Sequence, residues 1–340
     1  MIRLRNFPYF IFTFCVVLLF CISCKQPDSY MKMEGMIWNT TYHITYKGHE
    51  TLKDSVLPVL NELSLSLSIF EKNSLVSKLN DSEKSKADSH LIKVYDKSKQ
   101  INHLSGGVFD PTVSPLITAW GFGPGHTVTA DTTRVDSILT FVGIDKTYRE
   151  GDEIIKQDKR TQFNFSAIAK GYGCDAVGEM FKRNGVEDFM VEIGGELTLS
   201  GKSPSGNDWK ISIDAPNENN IGSHESALIL SLTDVGIATS GNYRNYREEN
   251  GNHLAHTISP VTGRPFFSEI LSATVIAPSC MEADALATAT MASTVENAKT
   301  LLTEYNAEGL LIMKDTIWMT PGFKKYIISE VSEPGRKDRN

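Results

Sequence analysis

Hydrophobic and polar residues follow two different periods along this chain, one typical of helices and one typical of strands. Leu57, Leu60 and Leu63 recur at helical spacing and indicate a helix over 51–70, whereas partial alternation rich in Thr, Tyr and Ile favours a strand over 36–46. The other predicted helices span 91–104, 131–143, 167–184, 281–292 and 294–305. The other predicted strands span 161–165, 187–199, 208–214, 226–233, 253–258 and 270–277, with a hairpin over 308–319. Because many strands follow one another directly, we expect an α+β fold with largely antiparallel sheets and packed helices in a single domain.

The first 24 residues differ from the rest of the chain in charge and in cysteine content. Arg3 and Arg5 precede a stretch without charge over 6–24, whose apolar centre has the length of a signal-peptide core and is short for a membrane-spanning helix. The small residue Ser23 precedes Cys24, as in bacterial lipoprotein signals, so we expect Cys24 to carry a lipid. An uncleaved membrane anchor is the alternative. The predicted division is a signal peptide over 1–23, a tether over 24–35, a folded domain over 36–331 and a polar tail over 332–340.

Composition narrows the class of protein further. The chain has 340 residues, of which 41% are hydrophobic, so it can bury a sizeable core. Its 34 basic and 41 acidic residues give a net charge of −7, which argues against a nucleic-acid partner. Outside the first 24 residues the only cysteines are Cys174 and Cys280, and we expect them to be small buried residues rather than a disulfide framework.

Two segments combine glycine with aromatic or charged residues in a way that suits a ligand. Repeated Gly and Pro beside Phe109 and Trp120, over 106–125, favour a rigid and irregular surface for a flat ring, with an elaborate turn as the alternative. Ser166 can cap a helix whose first N–H groups point outward beside Lys170, which is an anion site in principle. An ordinary capped helix is the alternative there.

Two further segments carry candidate catalytic chemistry. His256 precedes the turn over 260–263 and is a candidate general base, because histidine titrates closest to neutrality. Asp284 and Thr288 are four residues apart on a predicted helix and share one face. A carboxylate and a hydroxyl so placed suit a hard cation such as Mg²⁺. The alternatives are a structural histidine and a solvated aspartate.

These segments, in this order, resemble the motifs of the ApbE-type flavin transferases. The resemblance runs from about residue 35 to 328, and the matching segments are 109–112 with 120–123, 166–171, 256–263 and 283–288. The family resemblance implies a single catalytic domain that moves FMN from bound FAD onto a Thr or Ser hydroxyl of a target protein and releases AMP, with Mg²⁺ as cofactor. It implies exported target flavoproteins, such as redox-pump subunits of the sodium-translocating quinone reductase or Rnf type.

The resemblance also assigns roles to individual residues. The flavin ring would lie against the 108–110 segment and Phe70. On chemical grounds either His256 or Asp284 could take the proton of the target hydroxyl, and His256 is preferred because Asp284 would hold the metal. The expected cofactor-binding residues are Trp38, Phe70, Val108, Phe109, Asp110, Asn164, Lys170 and Ile258, and the expected Mg²⁺ ligands are Asp284, Thr288 and the backbone carbonyl of Ala167.

Several positions depart from the family pattern. Trp38-Asn39-Thr40 stands where Met-Gly-Thr is usual, and glutamates, Glu192 and Glu196, flank the paired glycines where Asn or Asp is commoner. Phe70 replaces a frequent Tyr, Asn164 a usual Asp, and Ser259 an Asp or Asn. These departures leave open an FAD pyrophosphatase that gives FMN and AMP. A flavin-binding lipoprotein without turnover is a separate alternative, against which Asp284 and Thr288 argue, because binding alone needs no metal site. The expected location is outside the cytoplasm, lipid-anchored on the periplasmic side of the inner membrane or at the outer membrane.

Overall fold

A computed structural model describes residues 29–121, 132–214, 226–241, 246–249, 252–255 and 257–330. Its α-helices are α1 (Lys53–Leu67), α2 (Leu75–Asn80), α3 (Ser89–Leu104), α4 (Ser114–Ala119), α5 (Thr132–Leu139), α6 (Ala169–Arg183), α7 (Cys280–Met291) and α8 (Val295–Glu304). Short 3₁₀ turns span Glu50–Leu52, Ile144–Lys146 and Phe323–Tyr326. In the described part of the chain, no helix is long and apolar enough to span a membrane.

The strands are β1 (Ser29–Ile37), β2 (Thr40–Gly48), β3 (Lys84–Lys86), β4 (Thr147–Glu150), β5 (Glu153–Lys156), β6 (Phe189–Ile193), β7 (Glu196–Ser200), β8 (Trp209–Asp214), β9 (Ser226–Leu232), β10 (Val235–Gly241), β11 (Tyr246–Glu249), β12 (Asn252–Ala255), β13 (Ile270–Ala277), β14 (Glu308–Met313), β15 (Ile317–Met319) and β16 (Ile327–Glu330). Eight of them form one sheet in the order β1-β2-β6-β7-β10-β13-β14-β15, and all neighbours in it are antiparallel. The predicted α+β class with largely antiparallel sheets is confirmed.

The large sheet is covered on both faces, so a hydrophobic core forms on each side of it. Helices α6 and α7 pack on one face, against β6, β7, β10 and β13. The small sheet β16-β9-β8 packs on the other face, where Leu199, Leu230 and Ile276 are buried together. Burying alternate residues on both sides removes the apolar surface of each strand from water and fixes its register.

The helices that build the site begin in different ways. Ser279 accepts a hydrogen bond from the N–H of Glu282 and caps α7, as a serine at this position is expected to do. Helix α6 has no side-chain cap, because Ile168 stands at its N-cap position. The Ser166 hydroxyl, predicted to cap α6, bonds instead to Oδ1 of Asn164 at 2.6 Å. That prediction is wrong, since Asn164 competes for the hydroxyl in a local turn.

Several predicted elements differ from the structure, among them the strand expected over 36–46, which contains the end of β1, the turn at Trp38-Asn39 and most of β2. Residues 29–35, expected as part of a tether, belong to β1, which pairs along its whole length with β2. The single strand expected over 187–199 is the hairpin β6-β7, which turns at Gly194-Gly195 with φ of 67° and 100°. Residues 161–165, expected as a strand, make no strand pairing. Helices α6, α7 and α8 and the hairpin β14-β15 begin and end within two residues of their predicted bounds.

Candidate active site

Lys170, Glu196 and Asp284 form a charged cluster where the starts of α6 and α7 meet the β6-β7 turn. Nζ of Lys170 lies 2.9 Å from Oε1 of Glu196 and 3.8 Å from Oδ1 of Asp284. Burial lowers the pKa of Lys170, but the negative charges of Asp284 and Glu196 outweigh it and raise that pKa overall. Lys170 is therefore held as a cation at the start of α6, between two carboxylates.

Asp284 is almost fully buried, with 2% of its surface exposed. Its Oδ2 accepts the backbone N–H of Gly171 at 3.0 Å, so the carboxylate satisfies one of the free N–H groups at the start of α6. This contact requires α6 and α7 to approach closely. A Cβ on Gly171 would lie 2.3 Å from the carbonyl oxygen of Cys280, so only glycine fits there.

Glu196 has one free carboxylate oxygen inside the protein. The residue is 5% exposed, and Oε2 has no hydrogen-bond partner in the described structure. Burial and then the charge of Asp284 raise the pKa of Glu196 to about 8, and Lys170 offsets only part of this. In the sequence, Glu196 is notable only as a neighbour of the paired glycines. The signal that the sequence lacks is which face of β7 meets α6, a feature of the fold.

Of the three expected metal ligands, Asp284 and Thr288 lie on α7, and Ala167 stands two residues before the start of α6. Thr288 is half-buried, one turn after Asp284. The N–H of Gly171, which in a regular helix would bond the carbonyl of Ala167, bonds Asp284 instead, and none of the described residues donates to that carbonyl. Carboxylate, hydroxyl and free carbonyl oxygens are the donors a hard cation prefers. No group of three or more His, Cys, Asp or Glu side chains in the described residues could hold a metal, so Asp284 would supply the charge.

A cavity of about 630 Å³ opens beside Lys170. Its wall includes Trp38 and Phe70, and Phe70 is 78% exposed, so its ring is available to a ligand. The indole N–H of Trp38 donates to Oγ of Ser64 at 2.6 Å, which fixes the ring on the wall. The remaining residues that line the cavity are Asn39, Leu63, Ser64, Leu67, Ser68, Ile69, Glu71, Ser166, Ala169 and Lys170.

The 108–110 segment presents less to a ligand than its sequence suggests. Phe109 is 2% exposed and packs into the core. The carboxylate of Asp110 is buried and accepts from Asn102 at 3.1 Å and from the hydroxyl of Thr112 at 2.6 Å. Only half-buried Val108 and the backbone of this segment are therefore open to a flavin ring. The roles of these residues stay predictions.

Asn164 and Ile258 are not among the residues that line this cavity. The N–H of Asn164 donates to the carbonyl of Pro111 at 2.7 Å and joins the two glycine-rich segments. Ile258 is buried, and its backbone pairs with that of Pro265. His256, the candidate base, lies outside the described residues, as does Cys24.

Known proteins resemble this chain over most of its length. The sequence model of the ApbE family matches residues 38–311. This chain belongs to the ApbE family. It is 34% identical over 323 residues to an FAD:protein FMN transferase of Vibrio cholerae serotype O1, covering 92% of this chain and 95% of that protein. It is 31% identical over 283 residues to an FAD:protein FMN transferase of Haemophilus influenzae, covering 78% of this chain and 81% of that protein.

Solved ApbE structures share the fold. The flavin transferase ApbE from Vibrio cholerae superposes with a TM-score of 0.79 at 31% identity, over 88% of this chain and 100% of that one. The flavinyl transferase ApbE of Pseudomonas stutzeri superposes with a TM-score of 0.80 at 28% identity, over 89% of this chain and 98% of that one. The predicted family and single-domain fold are confirmed.

Proposed function

We propose that this chain is an FAD:protein FMN transferase that moves FMN from FAD to a Thr or Ser hydroxyl of a target protein and releases AMP. The observation that carries this proposal is the cluster of Lys170, Asp284 and the carbonyl of Ala167, which receives no hydrogen bond from the described residues, beside an open, aromatic-walled cavity. The aromatic wall at Trp38 and Phe70 suits a flavin ring, and the held cation suits a pyrophosphate.

In this reaction the hydroxyl oxygen of the target attacks the phosphorus on the FMN side of the pyrophosphate. The bond from that phosphorus to the bridging oxygen breaks, AMP leaves, and the hydroxyl proton passes to a base. Lys170 would orient and neutralise the pyrophosphate, since such transfers need positioning and charge neutralisation above all. Asp284 is already engaged by Gly171 and Lys170, so we propose His256 as the base.

We propose Mg²⁺ as the cofactor, held by Asp284, Thr288 and the carbonyl of Ala167. When bound, it would neutralise charge on the pyrophosphate. Asp284→Ala is expected to abolish AMP release while the protein still folds, and Asp284→Asn tests the charge alone, because the amide oxygen can still accept the N–H of Gly171. Undiminished AMP release in both variants would remove this assignment.

The decisive experiment incubates the protein with FAD, Mg²⁺ and a target domain, then measures AMP and the flavin fluorescence that stays on the denatured target. The expected result is one flavin bound per AMP released. AMP without bound flavin would make the protein an FAD pyrophosphatase, and retained FAD with no AMP would make it a flavin-binding protein without turnover.

We also propose that the enzyme is exported and anchored through a lipid on Cys24, and that its targets are exported flavoproteins such as redox-pump subunits. The uncharged stretch over 6–24 after Arg3 and Arg5, with Ser23 before Cys24, supports this. Cys24→Ser is expected to move the protein from the membrane fraction to the soluble fraction or to leave its signal uncleaved. Unchanged processing and fractionation would contradict the lipid anchor.

A further inference from the structure

Helices α6 and α7 cap each other at their starts. Asp175 of α6 accepts the N–H of Cys280 on Oδ1 at 3.0 Å and the N–H of Met281 on Oδ2 at 2.9 Å. Asp284 of α7 accepts the N–H of Gly171 at 3.0 Å. The first N–H groups of a helix have no partner within that helix, so each carboxylate satisfies groups that the other helix leaves free.

The surroundings of this reciprocal cap leave it little freedom. The hydroxyl of Thr198 donates to Oδ1 of Asp175 at 2.7 Å and ties the cap to β7. A Cβ on Gly171 would lie 2.3 Å from the carbonyl oxygen of Cys280, and a Cβ on Gly236 would lie 2.1 Å from the backbone nitrogen of Cys280. The start of α7 is thus held between α6 and β10 by backbone contacts that a shift would break.

The cap links the position of one carboxylate to that of the other. Asp284 is one turn after the N–H groups that Asp175 holds, and Asp175 is one turn after Gly171. We infer that Asp175 is a positioning residue, which sets where the Asp284 carboxylate points by holding the start of α7 against α6. The effect of Asp175 on catalysis rests on the proposed function. The geometric link between Asp175 and the Gly171 N–H does not depend on it.

The test compares Asp175→Asn with Ser279→Ala. Asn keeps the shape of Asp, but it has only one side-chain oxygen. Its NH₂ group is a donor, so it cannot accept the second backbone N–H that Asp175 accepts. Ser279→Ala removes the ordinary cap of the same helix, at the N–H of Glu282, and leaves both carboxylates in place. The two variants weaken the same helix start, and only the first breaks the reciprocal cap.

Two measurements are made on the full chain: deuterium exchange of the peptide that contains Gly171, and the Mg²⁺ concentration that gives half-maximal AMP release. For Asp175→Asn we expect faster exchange and a roughly 10–100-fold higher Mg²⁺ requirement, the usual cost of losing a residue that orients a metal ligand. For Ser279→Ala we expect a lower melting temperature with both quantities close to wild type.

Wild-type exchange and Mg²⁺ requirement in a folded Asp175→Asn would overturn the inference, as would equal changes in both variants. If Asp175→Asn does not fold, Thr198→Val decides, because it removes a donor to Asp175 and keeps the carboxylate. Faster exchange at Gly171 in Thr198→Val than in wild type supports the inference, and unchanged exchange overturns it. If wild type shows no Mg²⁺ requirement, the proposed metal role fails, while the exchange data still decide on Asp175.

Discussion

At the scale of single residues, the most unusual group of the site is the carboxyl of Glu196. It is buried, Oε1 meets Lys170 at 2.9 Å, and Oε2 has no partner in the described structure. Removing a carboxylate from water costs free energy that one ion pair recovers only in part. Burial and the nearby charge of Asp284 therefore raise the pKa of Glu196 to about 8 in the folded protein.

A pH-dependent stability follows from that pKa. The unfolded chain loses the Glu196 proton near the ordinary pKa of 4.5 and the folded chain near 8, so between these values the folded state binds more protons. Stability is therefore lost as pH rises through this window, by an amount on the order of a few kcal/mol. In urea unfolding without Mg²⁺, Glu196→Gln is expected to lack this loss, and Glu62→Gln on the exposed face of α1 is expected to keep it. Parallel wild-type and Glu196→Gln curves from pH 5 to 8 would contradict the assignment.

The sequence predicted which residues would lie near one another better than it predicted the direction in which their side chains point. Lys170 and Asp284 are far apart in the chain and lie 3.8 Å apart in the fold. Phe109 was expected against the flavin, but its ring faces the core. Glu196 was only a flanking residue. In each case the residue type indicates a chemistry, whereas the face it occupies depends on packing between distant elements.

At the scale of elements, the β1-β2 turn explains why its hairpin was missed. Trp38 and Asn39 both have positive φ, 51° and 61°, in a two-residue turn that normally favours Asn-Gly or Gly-Gly. A bulky residue at positive φ is strained and therefore rare in such turns, so Trp38 gives no indication of a turn in the sequence. Contacts outside the hairpin stabilise the turn: Ser64 holds the indole, and Gly173 of α6 leaves room for it.

This packing predicts the effect of a small change in α6. A Cβ on Gly173 would lie 2.7 Å from the Trp38 ring, so Gly173→Ala is expected to displace the ring from the cavity wall and weaken FAD binding about tenfold or more. The same change otherwise favours the helix by about 1 kcal/mol. In a Trp38→Ala background Gly173→Ala is therefore expected to leave FAD affinity unchanged, as fluorescence titration can measure. Additive losses in the double variant would show that the two residues act separately.

At the scale of the whole molecule, the fold class was predictable because it depends on the order and type of the elements. The spacing of hydrophobic residues along the sequence indicates both. The layer arrangement was not predictable, since the face on which helices or the β16-β9-β8 sheet pack is decided by contacts between remote strands. The boundary of the domain was also missed, because the polar residues and scattered methionines of 29–35 are typical of a tether and the edge strand they form buries only one side.

That boundary gives a prediction for the molecule as a whole. Met31 and Met33 of β1 pack against the core beside β2, and Gly35 lies against the ring of Tyr42. A chain that starts at Ser29 is therefore expected to keep the melting temperature and FMN transfer rate of the full-length protein. A chain that starts at Met36 loses most of β1, which costs on the order of 2–3 kcal/mol for the two methionines alone and leaves β2 as an unpaired edge. Thermal unfolding of the two truncated proteins measures the difference. Equal melting temperatures would show that β1 contributes nothing to the domain and that the folded part begins after it.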